Sequence, residues 1–536
     1  MTLRDKLRQS ILKFLKLDKL GENPNSDRFT FIGDPEDIIK RKLQEFKVWY
    51  YGNSDELLNF YTAMETYGNY KEPIYNRNKQ NYFWGLSADE CKVKRVHSGM
   101  PKAIIETLTN IVGMPNITCE QQETLDFIIK KTKLTNIINQ KQLPMTLALG
   151  WGCFKPIIDK QVCKDSPLVE WYNADDVEFV VKHDVIIGVL FMDYYYYQDK
   201  DYVLVETRRV VNGDSRIEYK LYRYEKDNSV VEVELDTIPD LADLSKDGLV
   251  IKGLDKILAV PSVFFYDMNN KNYGRSILDG KIDLFDDLDQ DLSQASQTSR
   301  VSTPVEYYPV DLLERDKFGR ARTPQIYNRQ FIASNSYPNG DGELNGDIRT
   351  TQPNVNFNQY NEKVLSDINL ILTGILSPAT LGLNIAKDDT ALSQREKEKV
   401  SVMTRNNILD RQQVIIADLC EQLLMLKEFM ETGTISIKEY DIGVKFSEFA
   451  NPSFEDKANL LSQMFGSGTI SPEMYVDKLY GDSLSEEERE KEISYLVEQQ
   501  QKDDNIDLSE FENEGTITED SNIERAEQEN IDELEY

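Results

Sequence analysis

Histidine is nearly absent from this 536-residue chain: only His97 and His183 occur. Imidazole is the usual general base and metal ligand near neutral pH, so most His-based hydrolases and metal sites are excluded. A His-dependent triad would have to use one of these two, and neither sits in a recognisable nucleophile motif. The phosphate-binding GxxxxGK[ST] pattern, a GxGxxG after a strand and HExxH are missing as well. Five cysteines (Cys91, Cys119, Cys153, Cys163 and Cys420) are scattered, odd in number and without CxxC spacing. That pattern predicts a reducing compartment, with neither a disulfide framework nor a zinc site. Mean hydropathy is −0.51, and no apolar run reaches the roughly 18 residues a membrane helix needs. Lys and Arg interrupt the early apolar residues Leu3, Leu7, Ile11, Leu12, Leu15 and Leu17, so no signal peptide is expected.

Positive charge is also scarce. Lys and Arg number 62 against 93 Asp and Glu, a net charge of −31. Proteins that grip nucleic acid neutralise phosphates with a basic surface. Either nucleic acid is not a partner here, or the chain must lie near it without holding it. From Asp503 to Tyr536 there are 14 acids and one Arg, a net of −13. The rest carries −31 + 13 = −18, so the acidity is not confined to the tail. That tail is poor in aromatics and predicts disorder.

Residues 1–20 are basic and amphipathic, suiting either a membrane or partner anchor or a surface helix docked on its own protein. Residues 35–66 predict two helices split at Tyr51-Gly52-Asn53-Ser54, with Asp34 and Ser54 as candidate caps. Phe46, Trp49, Tyr50, Phe60 and Tyr61 are their candidate core, and Asn81–Gly85 is an aromatic loop. Met100–Val112 predicts a helix with an early Pro101 and a stop at Gly113. Glu123–Leu149 predicts one or two more, ending at Gly150-Trp151-Gly152.

From Phe154 to Val260 the period changes to two. Short β-branched and aromatic runs are divided by turn signals, and Asn212-Gly213 predicts a tight hairpin. Val305–Tyr308 is a further strand candidate. Thr390–Met430 carries helical periodicity far beyond the usual length, with Val400, Met403, Ile408, Val414, Ile415, Leu419, Leu423, Leu424, Leu426 and Phe429 as its buried stripe. Ile435–Phe449 returns to strand, and Pro452–Gln501 predicts three short helices. The fold class is therefore α+β.

Between these regions lies SILDGKIDLFDDLDQDLSQASQTSR (276–300). Leu278, Ile282, Phe285, Leu288, Leu292 and Ala295 recur at spacings of three and four, predicting one helix with an apolar stripe. Asp279, Asp283, Asp286, Asp287, Asp289 and Asp291 take much of the remainder. A second helix is predicted over Asn358–Leu376, after a loop-rich insertion that carries the basic cluster Arg315, Lys317, Arg320, Arg322 and Arg329.

Four stretches in this order resemble the portal proteins of long-tailed double-stranded DNA bacteriophages, over roughly residues 35–500. They are VHSGMPKAIIETLTNIVG (96–113), LALGWGCFKPIID (147–159) with EWYNADDVEFVVKHDVIIGVLFMDYYY (170–196), LAVPSVFFYDMNNKNYGRSILDGKIDLFDDLDQDLSQ (258–294) and ILSPATLGLNIAKDDTALSQREKEK (375–399). No short invariant motif defines the family, so order and spacing carry the resemblance.

The resemblance implies a ring, usually of twelve subunits, at one capsid vertex of the virion, formed in the host cytoplasm. Its implied parts are a wing (1–275, including an antiparallel β region at 154–260), stem helices 276–300 and 356–376, and a clip at 301–355 between them. A tunnel loop (377–390), a long wing helix with a returning strand (391–449), a crown (450–502) and the acidic tail (503–536) follow. Double-stranded DNA would pass through without sequence specificity. Implied partners are the terminase packaging motor, a head–tail adaptor, and the major capsid and scaffold proteins, with no membrane, cofactor, metal or catalysis.

Within that frame Asp279, Asp283, Asp286, Asp287 and Asp291 would line the channel. Cations there would bind phosphates and stall translocation, whereas carboxylates repel the duplex. Leu381, Leu383, Asn384 and Lys387 would form the tunnel loop, with Asp388 and Asp389 capping the long helix. The five-cation cluster would dock the motor or adaptor. Blander readings stay open: a solvated helix face for the aspartates, an ordinary connection for the loop, intersubunit ion pairs for the cations. So do two other functions, a non-portal virion structural or interaction protein and a metal-dependent nuclease built on clusters such as Asp175-Asp176-Glu178 or Asp283-Asp286-Asp287.

Overall fold

The fold is mixed, with about 49% helix and 25% strand. A computed structural model describes residues 35–66, 82–86, 91, 93–225, 230–242, 244, 248–267, 273–302, 304–309, 313–320, 330–334, 349–352, 357–383, 391–436, 439–447, 458, 461–465, 469–480 and 488–497. Segment 1–20, Asp34, the tail 503–536, Arg322, Arg329, Asn384, Lys387, Asp388 and Asp389 lie outside the described residues. The chain divides into two compact units, 1–447 and 448–536.

In the first unit, helices α1 (Pro35–Tyr51) and α2 (Ser54–Thr66) bury Phe46, Trp49, Leu57 and Tyr61. The break falls where predicted, but Asn53 is the cap: its Oδ1 accepts the Asp55 N–H at 3.0 Å. Helix α3 (Met100–Val112) follows its apolar period, burying Ile104, Ile105, Leu108 and Val112 before Gly113 turns the chain at φ +76°. Strand β1 (Pro115–Cys119) leads into α4 (Gln122–Thr132). Further helix, with a π stretch over Ile138–Gln142, runs into α5 (Leu143–Leu149).

At Gly150 the chain turns into β2 (Trp151–Ile157), which pairs antiparallel with β3 (Leu168–Asn173) and with β10 (Val260–Val263). A second antiparallel sheet runs in the order β4 (Val177–Lys182), β5 (Val185–Tyr197), β6 (Lys200–Val211), β7 (Asp214–Tyr224), β8 (Val230–Val233), with β9 (Leu249–Ile251) also on β7. Asn212 and Gly213 both take positive φ, +56° and +84°, the requirement of a type I′ hairpin. Tyr194, Tyr195 and Tyr197 pack against buried clusters while Tyr196 is 70% exposed.

Helix α6 spans Ile282–Val301. The expected start at Ser276 is not helical. Ser276 Oγ instead donates to the Ala148 carbonyl at 2.5 Å, and Gly280 adopts φ +77°, so 276–281 forms a turn tied to the end of α5. After α6 come β11 (Val305–Pro309), β12 (Gln330–Ser334) and β13 (Arg349–Thr351). β11 is central, parallel to β12 and antiparallel to β13. Helix α7 (Phe357–Leu372) stops earlier than predicted, at a turn where Gly374 has φ +78°. The 42-residue α8 (Ala391–Thr432) precedes β14 (Ile442–Phe446), which pairs antiparallel with β1.

Ile408, Ile415, Leu419, Leu423, Leu424 and Leu426 of α8 are buried, whereas Val400, Met403 and Val414 are exposed, contrary to the expected stripe. The early part of α8 thus carries exposed apolar side chains among the described residues. In the second unit, helix α9 (Pro472–Tyr480) buries Val476 and Leu479. No helix among the described residues is long and apolar enough to cross a membrane.

Candidate functional site on the paired helices

Helices α6 and α7 run antiparallel. Lys281, just before α6, donates from Nζ to the carbonyls of Leu370 (2.9 Å) and Thr373 (3.2 Å) at the far end of α7. At the other end Thr298 meets the Tyr360 hydroxyl at 3.4 Å. Between them Lys363 bridges the helices, with Nζ 3.0 Å from Asp291 and 2.5 Å from Asp367. Phe285, Leu288, Ile371 and Leu372 join the main core.

The acidic residues of α6 divide into three groups. Asp283 and Asp287 point outward and are exposed, although Asp283 also accepts the Tyr82 hydroxyl at 2.7 Å. Asp291 is committed to Lys363. Asp286 and Asp289 are buried. Asp286 accepts the backbone N–H of Phe83 at 2.7 Å and of Trp84 at 3.3 Å, clamping the aromatic turn Phe83–Gly85. Burial pushes its pKa up to about 7, against the pull of those two N–H groups and with help from neighbouring Asp289 and Asp287. Asp289 accepts the Trp84 indole N–H at 3.0 Å and the Ser98 N–H at 2.8 Å, and lies 2.7 Å from His97 Nδ1.

Asp286 is therefore corrected as a channel-lining residue: it is enclosed by its own chain, because Phe83, Trp84, His97 and Ser98 cover the side of α6 that the sequence left looking solvated. Asp279 precedes the helix and lies 3.3 Å from Lys42 Nζ. The outward-facing acids that remain are Asp283 and Asp287.

The His97–Asp289 pair has the hydrogen bond of an acid–base dyad, but the other end of the ring closes the question. His97 Nε2 is buried without a partner, and a Cβ on Gly52 would stand 2.8 Å from it. Among the described residues no other polar side chain reaches that nitrogen within hydrogen-bond distance. Among the described residues no group of three or more His, Cys, Asp or Glu is placed to hold a metal ion.

The segment after α7 does not project where it is described. Ser377 is buried and its N–H donates to Ser401 Oγ of α8 at 2.9 Å, while Thr380 Oγ1 lies 2.6 Å from the same oxygen. Leu381 and Leu383 are half-buried and pack against the main core.

Of the basic cluster, Arg315, Lys317 and Arg320 are exposed. They flank a turn closed by Asp316, whose Oδ1 accepts the N–H of Phe318 and of Arg320, each at 2.8 Å. Phe318 at its tip is 86% exposed. Sequence reasoning passed over it, although Asp-Lys-Phe-Gly carries both the Asx-turn and glycine signals.

A buried ion network was also missed. Lys155 Nζ lies 2.9 Å from Glu206, and Arg208 reaches Glu206 at 2.5 Å and the Pro156 carbonyl at 2.6 Å. Burial opposes the Glu206 carboxylate, but Arg208 and Lys155 more than offset it and hold its pKa below the ordinary value. These residues alternate along β strands, and pairing across β2 and β6 is invisible in period-two patterning. No family model matches this chain, and no curated protein matches it.

Proposed function

We propose that this chain is the subunit of a portal ring at one vertex of a viral capsid, a conduit for duplex DNA during packaging and ejection without catalysis of its own. The observation that carries this reading is the antiparallel α6–α7 pair, which brackets the β11–β13 sheet and is followed by the long α8. A stem of two helices with a small clip between them is what the sequence resemblance implies. The acidic outward side of α6 supports it further. Asp283 and Asp287 face away from the core, and Lys281 is spent on α7 carbonyls. Repeated around a ring, these carboxylates would repel phosphates and keep water and counterions between wall and duplex.

The exposed turn at Phe318, with Arg315, Lys317 and Arg320, suits docking of an acidic partner such as a packaging motor or head–tail adaptor. Capsid and scaffold proteins would surround the ring. Negative-stain microscopy of the purified chain tests the proposal. Rings with a central channel are expected; a monomer at high protein concentration would overturn it.

A further inference from the structure

The portal reading leaves one concave feature without a role. A groove of about 770 Å³ opens between β3, the ends of β5 and β6, and the helix around Lys141. Its walls are aromatic, with Trp171, Tyr172, Tyr194 and Tyr195. Its charge is negative: Glu170, Asp176, Asp193 and Asp201 line it against Lys141. Lys155 lies beneath, 3.4 Å from Glu170 and 3.7 Å from Asp193. Lys155 is itself shared with Glu206. Tyr172 is held in place by donating to Asp193 at 2.7 Å.

We propose that the basic amphipathic segment 2–20 of this same chain occupies the groove. The first argument is charge. Arg4, Lys6, Arg8, Lys13, Lys16 and Lys19 stand against Asp5 and Asp18, so the segment carries +6 − 2 = +4 in a chain of −31. The second is surface chemistry. Leu3, Leu7, Ile11 and Leu15 recur every four residues, an apolar side that aromatic walls accept, and the same rings attract Lys and Arg through their faces.

The third argument is reach. Lys47 of α1 pairs with Asp175, the neighbour of the groove residue Asp176. Pro35, where α1 begins, lies twelve residues before Lys47, about 18 Å along the helix axis. Residues 21–34 span up to about 46 Å when extended, so the tether closes with slack. This inference is independent of the portal reading.

A benzophenone-bearing residue replacing Leu12 in the full chain tests it, with cross-links mapped by mass spectrometry. The expected result is a cross-link to the peptides carrying Trp171 or Tyr194. Lys13→Glu with Lys16→Glu leaves the groove intact and should lower the yield roughly three- to tenfold. Glu170→Lys with Asp201→Lys should do the same, and the four changes together should restore it. Cross-links to any other surface or to a second kind of protein would overturn the proposal. So would a yield indifferent to these charge reversals.

Discussion

Asp286 shows how one buried carboxyl ties sequence to pH dependence. Its folded-state pKa is raised to about 7 from 3.8. Between those values the folded chain holds a proton that the unfolded chain has released, so stability falls as pH rises through the window. The shift is about three units, worth ~4 kcal/mol. We expect Asp286→Asn to flatten the decline in unfolding free energy between about pH 4 and 7, measured by urea titration at several pH values. A slope equal to that of the parent chain would refute the assignment. Glu206 is the opposite case, a carboxylate held charged between Arg208 and Lys155. Glu206→Gln removes the carboxylate paired with the buried Arg208 and leaves Lys155 only its longer contacts to Glu170 and Asp193; we expect a loss of about 3–5 kcal/mol, read as a lower urea midpoint.

At the scale of elements, α6 is organised by what packs on both of its flanks. Its apolar side enters the core and its Asp286–Asp289 side grips Phe83, Trp84, His97 and Ser98, leaving Asp283 and Asp287 to act outward. Under the portal proposal, Asp283→Lys with Asp287→Lys should therefore leave the fold and ring assembly intact, yet shorten the packaged DNA or slow its ejection. Unchanged packaging would place these residues away from any channel. The β6–β7 hairpin offers a purely structural test. Gly213 sits at φ +84°, where a β-branched side chain is strained, so Gly213→Val should cost about 1–2 kcal/mol or more. Thermal unfolding would register it.

At the scale of the whole molecule, the exposed apolar side chains of α8 matter most. Val400, Met403 and Val414 are 40%, 60% and 66% exposed, and their spacing puts them on one side of the helix. Under the portal proposal this side is one that neighbouring copies cover. Met403→Glu with Val414→Glu should then shift the protein from ring to monomer in sedimentation, with intrachain stability unchanged within about 0.5 kcal/mol. Rings that persist would remove α8 from the interface.

Local chemistry is legible in the chain itself. The period of α3, its stop at Gly113 and the Asn212-Gly213 hairpin all follow from spacing and backbone preference, which act over a few residues. Tertiary structure decided the rest, because burial depends on which distant segment arrives. Periodicity marked the apolar side of α6 but not that Phe83, Trp84, His97 and Ser98 would cover Asp286 and Asp289. It marked an apolar stripe on α8 but not that Val400, Met403 and Val414 would stay exposed. A carboxylate and a solvated face look alike in sequence; only packing from elsewhere makes one of them a buried clamp.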